Sequence, residues 1–280
     1  MGPPFCQFYH PCAALQPFVS NYMLMHVQFD AQVPLAVNPF PTNPEQCLYF
    51  YARDVIEVFN FAQQKERASA QSVIVGPQVA RVNLRMGHNQ LTIKVGFRPG
   101  GLFRLFGLPM WELLDQTVDS HDLTGREVND VNERLREVDD YARMIALVEQ
   151  YLLRKVAALK TEAHAVDHVA RLMLQPHEQP RSVDWLAAQA CLSTRQFERK
   201  FLERVGMSPK LFARVARFAR AYRLKDQQPA LDWQDVVYQC GYYDQMHLIK
   251  DFKLFAAVTP SVLVKEEARS PLRLFPGSPF

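Results

Sequence analysis

Cysteine is scarce and unpaired. Cys6, Cys12, Cys47, Cys191 and Cys240 are five in 280 residues, with no CxxC among them. That spacing encodes neither a disulfide framework nor a zinc knuckle, and it fits a reducing, cytoplasmic setting. No apolar run reaches the roughly 18 residues a spanning helix needs, and the opening MGPPFCQFYHPC lacks a basic segment followed by an apolar core. Neither membrane insertion nor secretion is expected. The motifs GxSxG, GxxxxGKS/T and GxGxxG are absent, which removes the esterase, P-loop and dinucleotide signatures. His164 and His168 stand four apart in EAHAVDH, but no HExxH and no third ligand accompany them. No metal site, no cofactor and no catalytic residue is expected.

The charge that is present is uneven. Residues 1–165 carry 15 Lys and Arg against 17 Asp and Glu, whereas residues 166–280 carry 17 against 12. Arg195 to Lys225 holds ten basic residues and two acidic ones, Glu198 and Glu203. A basic run by itself is only a solvated face. It gains meaning from a repeat: STRQFERKFLERVGMSP at 193–209 and DQMHLIKDFKLFAAVTP at 244–260 align with an offset of 51. The offset pairs Phe197 with Leu248, Arg199 with Lys250, Phe201 with Phe252, Ser208 with Thr259 and Pro209 with Pro260.

In the first copy Ser182 caps a short helix with Trp185, Leu186 and Ala190 apolar, and Ser193 caps a second. Phe197, Phe201, Leu202 and Val205 recur at helical spacing as its buried face, and Gly206 ends it. Arg195, Gln196, Arg199 and Lys200 are left outside. The second copy has Asp232 or Asp235, Gly241 and Asp244 in the corresponding places, with Leu248, Phe252 and Phe255 inward and Gln245, Met246, Ile249 and Lys250 outward. Two short helices on a tight turn, the second presenting Arg and Gln near its start, form a helix-turn-helix. Arg suits guanine and Gln suits adenine in a major groove. Between the copies, Ser208 and Pro209 open one long helix with Leu211, Phe212, Val215, Phe218 and Leu224 along one side. A rod of that kind, about 25 Å long, sets two readers toward successive groove faces about 34 Å apart.

These residues resemble the AraC/XylS family of bacterial transcription regulators. The resemblance rests on LAAQACLSTRQFERKFLERVGMSP, RFARAYRL and DVVYQCGYYDQMHLIKDFKLFAAVTP. Its most specific part is the pattern G-Y/F-x-D-x-x-H-L/F-x-x-x-F at Gly241, Tyr242, Asp244, His247, Leu248 and Phe252. It covers residues 166–266 and implies an all-α DNA-binding domain with two helix-turn-helix units on a long helix, double-stranded DNA and RNA polymerase as partners, and His247 as an inward packing residue. Two departures stand out. Ala257 replaces a usual Gly, at a cost of about 1 kcal/mol if the backbone there is left-handed, and Val237 replaces a usual Ala, which predicts a splayed second unit that clamps phosphate more than it reads bases.

Residues 1–165 read as a β-rich domain with trailing helices, giving an α+β chain overall. YMLMHVQFD, QCLYFYARDVIEVFNF, QSVIVGPQVARVNL and NQLTIKVGF are rich in β-branched and aromatic residues between turn formers, as in a short-stranded barrel or sandwich. GFRPGGLFRLFGLP then turns into a helix. This element and the later helices resemble the amino-terminal domain of some AraC-type regulators. Arg98 beside Gly100 and Gly101 is a candidate anion holder, against the plainer reading that it pairs with an internal acid. Tyr49, Tyr51, Phe59 and Phe61 are candidates to line an apolar pocket, or simply core. Val131, Leu135, Val138, Ile145, Val148, Leu152 and Val156 form a near-heptad stripe that suits either a dimer surface or the domain's own β layer. Residues 267–280 are a Pro-rich tail with no assigned role.

The expectation is thus a non-enzymatic, sequence-specific regulator controlled at residues 1–165 by a ligand or partner, with a small-molecule effector as one candidate. Two alternatives stay open: a regulator whose first domain serves only dimerisation or protein contact, and a metal-dependent enzyme domain fused to a DNA-binding module.

Overall fold

The computed structural model describes residues 4–32, 34, 35, 37–61, 63–159, 161–175 and 181–268. Nine strands come first: β1 Phe5–Tyr9, β2 Val19–Gln28, β3 Val37–Phe40, β4 Gln46–Tyr51, β5 Glu57–Asn60, β6 Lys65–Ala68, β7 Ser72–Val75, β8 Val82–Arg85 and β9 Asn89–Phe97. Helix α1 Gly101–Phe106, a 3-10 turn Met110–Leu113, β10 Thr117–Asp119, and helices α2 Ser120–Thr124, α3 Glu127–Glu137 and α4 Tyr141–Ala157 follow. Then come α5 Ala165–Leu174, α6 Val183–Gln189, α7 Thr194–Val205, α8 Pro209–Gln227, α9 Trp233–Gln239, α10 Gln245–Phe255 and α11 Pro260–Glu267.

The strands form two antiparallel sheets, one ordered β1-β2-β9-β4-β7-β10 and the other β3-β8-β5-β6. Alternation along β2 decides what lies on each side of the larger sheet. Tyr22 and Leu24 join a core with α1, α3 and α4, while Met23, Met25 and Val27 turn toward the smaller sheet. QCLYFYARDVIEVFNF and QSVIVGPQVARVNL each divide into two strands, and in each the second strand belongs to the other sheet. Of the apolar stripe on α3 and α4, Val131, Leu135, Ile145, Val148 and Leu152 are buried against the larger sheet. Most of the stripe thus packs on the domain's own β layer, with Val138 and Val156 half-buried at the ends of α3 and α4.

Helices α5 to α11 enclose a second core built on Phe197, Phe201, Phe212, Phe218, Phe252 and Phe255. Two expected inward residues are not inward. Leu202 is exposed because it lies 100° around α7 from Phe201, and Arg204 takes the inner position; Trp185 is exposed with the Arg181 guanidinium over its ring at 4.5 Å. The expected tail begins one residue inside α11, where Tyr222 donates to Glu267. Residues 269–280 of that tail lie outside the described residues.

Where the two cores meet, Arg204 and Asp167 form a buried bidentate pair, Nε to Oδ1 and Nη2 to Oδ2, both at 2.6 Å. Arg204 also donates to the Glu162 carbonyl at 3.1 Å and lies 4.7 Å over the Phe103 ring of α1. Asp167 in turn completes the capping box of α5, accepting from the His164 N–H at 3.2 Å. Removing one partner strands a buried charge, a loss of about 3–5 kcal/mol. Arg204→Ala is therefore expected to lower unfolding free energy by that amount in urea denaturation. A loss under about 1 kcal/mol would show that water reaches the pair.

Candidate nucleic-acid interface

The paired helices are built by caps. Ser182 Oγ accepts from Trp185 N–H at 3.1 Å to start α6, and Ser193 Oγ accepts from Gln196 N–H at 3.4 Å to start α7. Asp232 accepts from Gln234 N–H at 2.8 Å to start α9, and Asp244 accepts from His247 N–H at 2.7 Å to start α10. Ser208 and the N1 proline Pro209 open α8, whose 19 residues span about 28 Å. Each turn is closed alike: Leu192 N–H donates to Ala187 O at 3.0 Å, and Tyr242 N–H donates to Val237 O at 2.9 Å. Val237 packs on the C-terminal core and the turn beside it stays closed, against the expected splaying.

The copies differ in one respect that the 51-residue offset hides. First helices correspond at an offset of 50, Val183–Gln189 with Trp233–Gln239, while second helices correspond at 51. The second turn holds one more residue. It ends with Tyr243, which is 90% exposed; Tyr238 and Met246 nearby are 87% and 59% exposed. Tyr238 and Tyr243 were not expected as surface residues, and the extra turn residue is visible in the spacing.

Of the expected DNA-facing residues, Arg195, Gln196, Arg199, Gln245, Met246 and Lys250 are exposed, whereas Lys200 and Ile249 are half-buried. Lys200 pairs with Glu203 at 2.9 Å along the same helix. Gln196 is engaged in the cap: its Oε1 accepts from Ser193 N–H at 3.1 Å and from Ser193 Oγ at 3.0 Å. His247, the equivalent residue of α10, is exposed and bonds Asp244 Oδ1 through Nδ1 at 2.9 Å, so it is a capping residue and not an inward packing one. That backbone N–H of His247 holds the Asp244 carboxyl below its ordinary pKa. Behind α10, the buried Asp251 accepts from Arg214 at 2.8 Å and Arg217 at 3.1 Å, fixing the helix on α8. Those two arginines of the basic run are structural.

The far ends of both second helices meet the β-rich region. Gln46 Nε2 donates to Val205 O of α7 at 3.0 Å. Thr42 donates to Phe255 O of α10 through its N–H at 3.3 Å and its Oγ1 at 3.0 Å, and Arg81 donates to Ala256 O at 3.2 Å while pairing with Glu266 at 2.7 Å. Gly206, with φ 89°, packs so closely that a Cβ would stand 2.6 Å from Met110 O.

Between the two sheets lies an apolar cavity of about 60 Å³. Tyr49 and Tyr51 line it as expected, with rings 6.3 Å apart, alongside Met23, Met25, Phe40 and Val82. Phe59 and Phe61 pack on each other at 5.0 Å instead. Gln78, Gln90, Thr92 and Thr117 also line the cavity. Burial pushes the Tyr49 and Tyr51 phenols well up and the nearby Cys47 thiol up to about 12.

Arg98 is not paired with an acid: its Nε donates to Gln16 O at 2.7 Å. The expected anion position at Gly100 is filled internally. A Cβ on Gly100, where φ is 77°, would stand 2.1 Å from Asp167 Oδ1, so the carboxylate at this helix start belongs to α5. Neither the His164 and His168 pair nor any other group of three or more His, Cys, Asp or Glu could hold a metal ion among the described residues. His164 is instead the cap of α5, accepting from Val166 N–H at 3.2 Å, and burial holds its pKa low. No helix among the described residues is long and apolar enough to cross a membrane.

Residues 186–266 match the family model of a helix-turn-helix domain, and residues 7–119 match that of a domain of unknown function, DUF6597. No curated protein matches the chain. Among solved structures, ToxT from Vibrio cholerae O395 is similar over 91% of this chain and 99% of its own, at 10% identity and a TM-score of 0.49. Unsaturated fatty acid bound wild-type ToxT from Vibrio cholerae strain SCE256 is similar over 89% and 96%, at 11% identity and a TM-score of 0.48. The DNA-binding domain of AdpA, a global transcriptional factor in complex with a target DNA, is similar over 39% of this chain and 98% of its own, at 24% identity and a TM-score of 0.36.

Ala257 adopts φ 58°, the left-handed conformation anticipated for it. Ala257→Gly is expected to raise stability by about 0.5–1 kcal/mol, the relief of strain exceeding the entropy added to the unfolded chain. The midpoint in urea, at unchanged slope, measures it.

Proposed function

We infer that this chain, whose C-terminal region is a helix-turn-helix domain of the AraC type, is a DNA-binding transcription regulator that applies two readers to one duplex and is controlled through its β-rich region. The main support is the matched pair of units held on one 19-residue helix. α7 offers Arg195 and Arg199, with Gln196 contributing only the amide nitrogen its cap leaves over. α10 offers Gln245 and Lys250, with Met246 and Tyr243 as apolar contacts for a thymine methyl. Lys200 and Ile249 are assigned supporting roles at the groove edge.

Control has a physical route. The cavity wall includes Phe40 and Val82. Phe40 lies two residues before Thr42, and Val82 directly follows Arg81, so the wall and the donors to α10 share the same segments. A small, largely apolar effector bigger than the cavity must part the sheets, and the donors move with them. An effector-free regulator, with the region serving only protein contact, is the second reading; an apolar cavity with a few polar residues in its lining favours the first.

Selection of duplexes by the full chain from a random library, at fixed moderate salt, tests the two readers. Two sequence blocks about one helical turn apart are expected; a single block would reduce the second unit to a phosphate clamp. Arg199→Ala is expected to cost about 1–3 kcal/mol and to relax preference at one base pair. Uniform weakening across sequences would make it a backbone contact. Thr42→Val with Gln46→Leu is expected to change DNA affinity while leaving the selected sequence unaltered, measured by titration on that duplex. An unchanged affinity would detach the β-rich region from control by this route.

A further inference from the structure

A second opening, separate from the cavity between the sheets, lies where the end of the larger sheet faces α5 and α8. It is a cleft of about 770 Å³. Four arginines line it, Arg98 after β9, Arg171 on α5, and Arg220 and Arg223 on α8; its only acid among the described residues is Glu45. Glu45 is already engaged, pairing with the buried Lys94 at 2.5 Å and accepting from Ser20 Oγ at 2.8 Å. The guanidiniums keep most of their donors. Arg98 and Arg220 spend one nitrogen each on a backbone carbonyl, Gln16 O at 2.7 Å and Gln175 O at 3.3 Å, and neither Arg171 nor Arg223 has a hydrogen-bond or ion-pair partner among the described residues. Asn21 at the rim carries a buried side-chain oxygen with no partner.

We propose that this cleft binds a small phosphate-bearing molecule that bridges the sheet end to α5 and α8. The lining cations are all arginine, and the planar fork of a guanidinium matches a phosphate's oxygens two at a time, which a lysine ammonium does not. Four like charges whose only acidic neighbour in the lining, Glu45, is already paired with Lys94 repel one another, and a multiply charged oxyanion reverses that cost. A DNA phosphate is the wrong occupant on geometry. Glu45 adjoins Gln46, which holds the C-terminal end of α7; along that helix Arg199 stands about 9 Å and Arg195 about 15 Å further on, toward the exposed start. A molecule seated here touches both regions and restrains their relative position.

The test uses the full chain, with inorganic pyrophosphate as probe in metal-free buffer and chloride at matched ionic strength as control. Pyrophosphate is expected to raise the thermal midpoint with the logarithmic concentration dependence of one site, by about 3 °C at ten times its Kd. Arg171→Gln and the exposed Arg223→Gln are each expected to weaken half-saturation at least tenfold, and Arg136→Gln, on the surface of α3, to leave it unchanged. Because Arg223 makes no hydrogen bond or ion pair among the described residues, its variant remains informative if Arg171→Gln unfolds. Equal shifts with chloride, or equal shifts in wild type and both cleft variants, overturn the proposal. So does a fall of about 0.9 per arginine in the salt dependence of DNA binding without any pyrophosphate effect, which would make the cleft a clamp on the DNA backbone.

Discussion

A helix ends in carbonyls that need donors, and the two helices that present Arg195 and Gln245 take theirs from another part of the chain. Gln46, Thr42 and Arg81 donate to Val205, Phe255 and Ala256, each bond closing on the last turn or the residue beyond it. An unpaired buried carbonyl costs about 1–3 kcal/mol, so these ends cannot drift from the β-rich region without loss. The buried Arg204 and Asp167 pair sets the same junction from the side of α5. The start of each helix stays exposed while its end is tied, so the β-rich region constrains how far apart and at what angle the two starts stand.

The cavity and the arginine cleft lie on opposite sides of this constraint. The cavity touches it through β3 and β8, next to Thr42 and Arg81; the cleft touches it through Glu45, next to Gln46. On the proposed readings, a ligand that parts the sheets would act on the donors to α10 and an anion that bridges the sheet end to α8 on the side that holds α7, so the two sites would be coupled through one set of hydrogen bonds with no long pathway required.

How much of this was legible depended on whether a signal was local. Caps at Ser182, Ser193, Ser208 and Asp244, the Gly206 end and the repeat were read directly, because a cap is written in the residues that make it. Tyr49 and Tyr51 were legible as pocket candidates through alternation, yet Phe59 and Phe61 gave the same pattern and pack on each other, since which face a strand turns inward depends on its partner sheet. β1, β3, β6 and β10 went unread because short edge strands carry no apolar alternation; β6 is Lys-Glu-Arg-Ala and wholly exposed. Gln196 looks like an outward reader until its bonds to Ser193 are seen, and His247, read as an inward packing residue, is an exposed cap bonded to Asp244. The arginine cleft was invisible: Arg98, Arg171, Arg220 and Arg223 are scattered over more than a hundred residues and meet only in the fold.

The left-handed residues bear on whether the second unit is the weaker reader. Each unit needs two such positions, one in its turn and one after its second helix. The first unit uses Cys191 at φ 53° and Gly206 at φ 89°; the second uses Gly241 at φ 71° and Ala257 at φ 58°. Glycine and non-glycine have exchanged places, so each unit carries one strained residue of about 1–2 kcal/mol, at opposite ends. The strain at Ala257 therefore does not rank the second unit below the first. What distinguishes them is the longer second turn, which holds Tyr243 out beside Met246. In the first unit the corresponding surface carries Arg195 and Thr194, and Thr194 is tied to Asp184 at 2.7 Å. The first helix start is thus charged and braced, and the second is apolar and open. Under the proposed function, two starts of such different chemistry predict an asymmetric site, with guanine preferred on the arginine side and a thymine methyl on the tyrosine and methionine side.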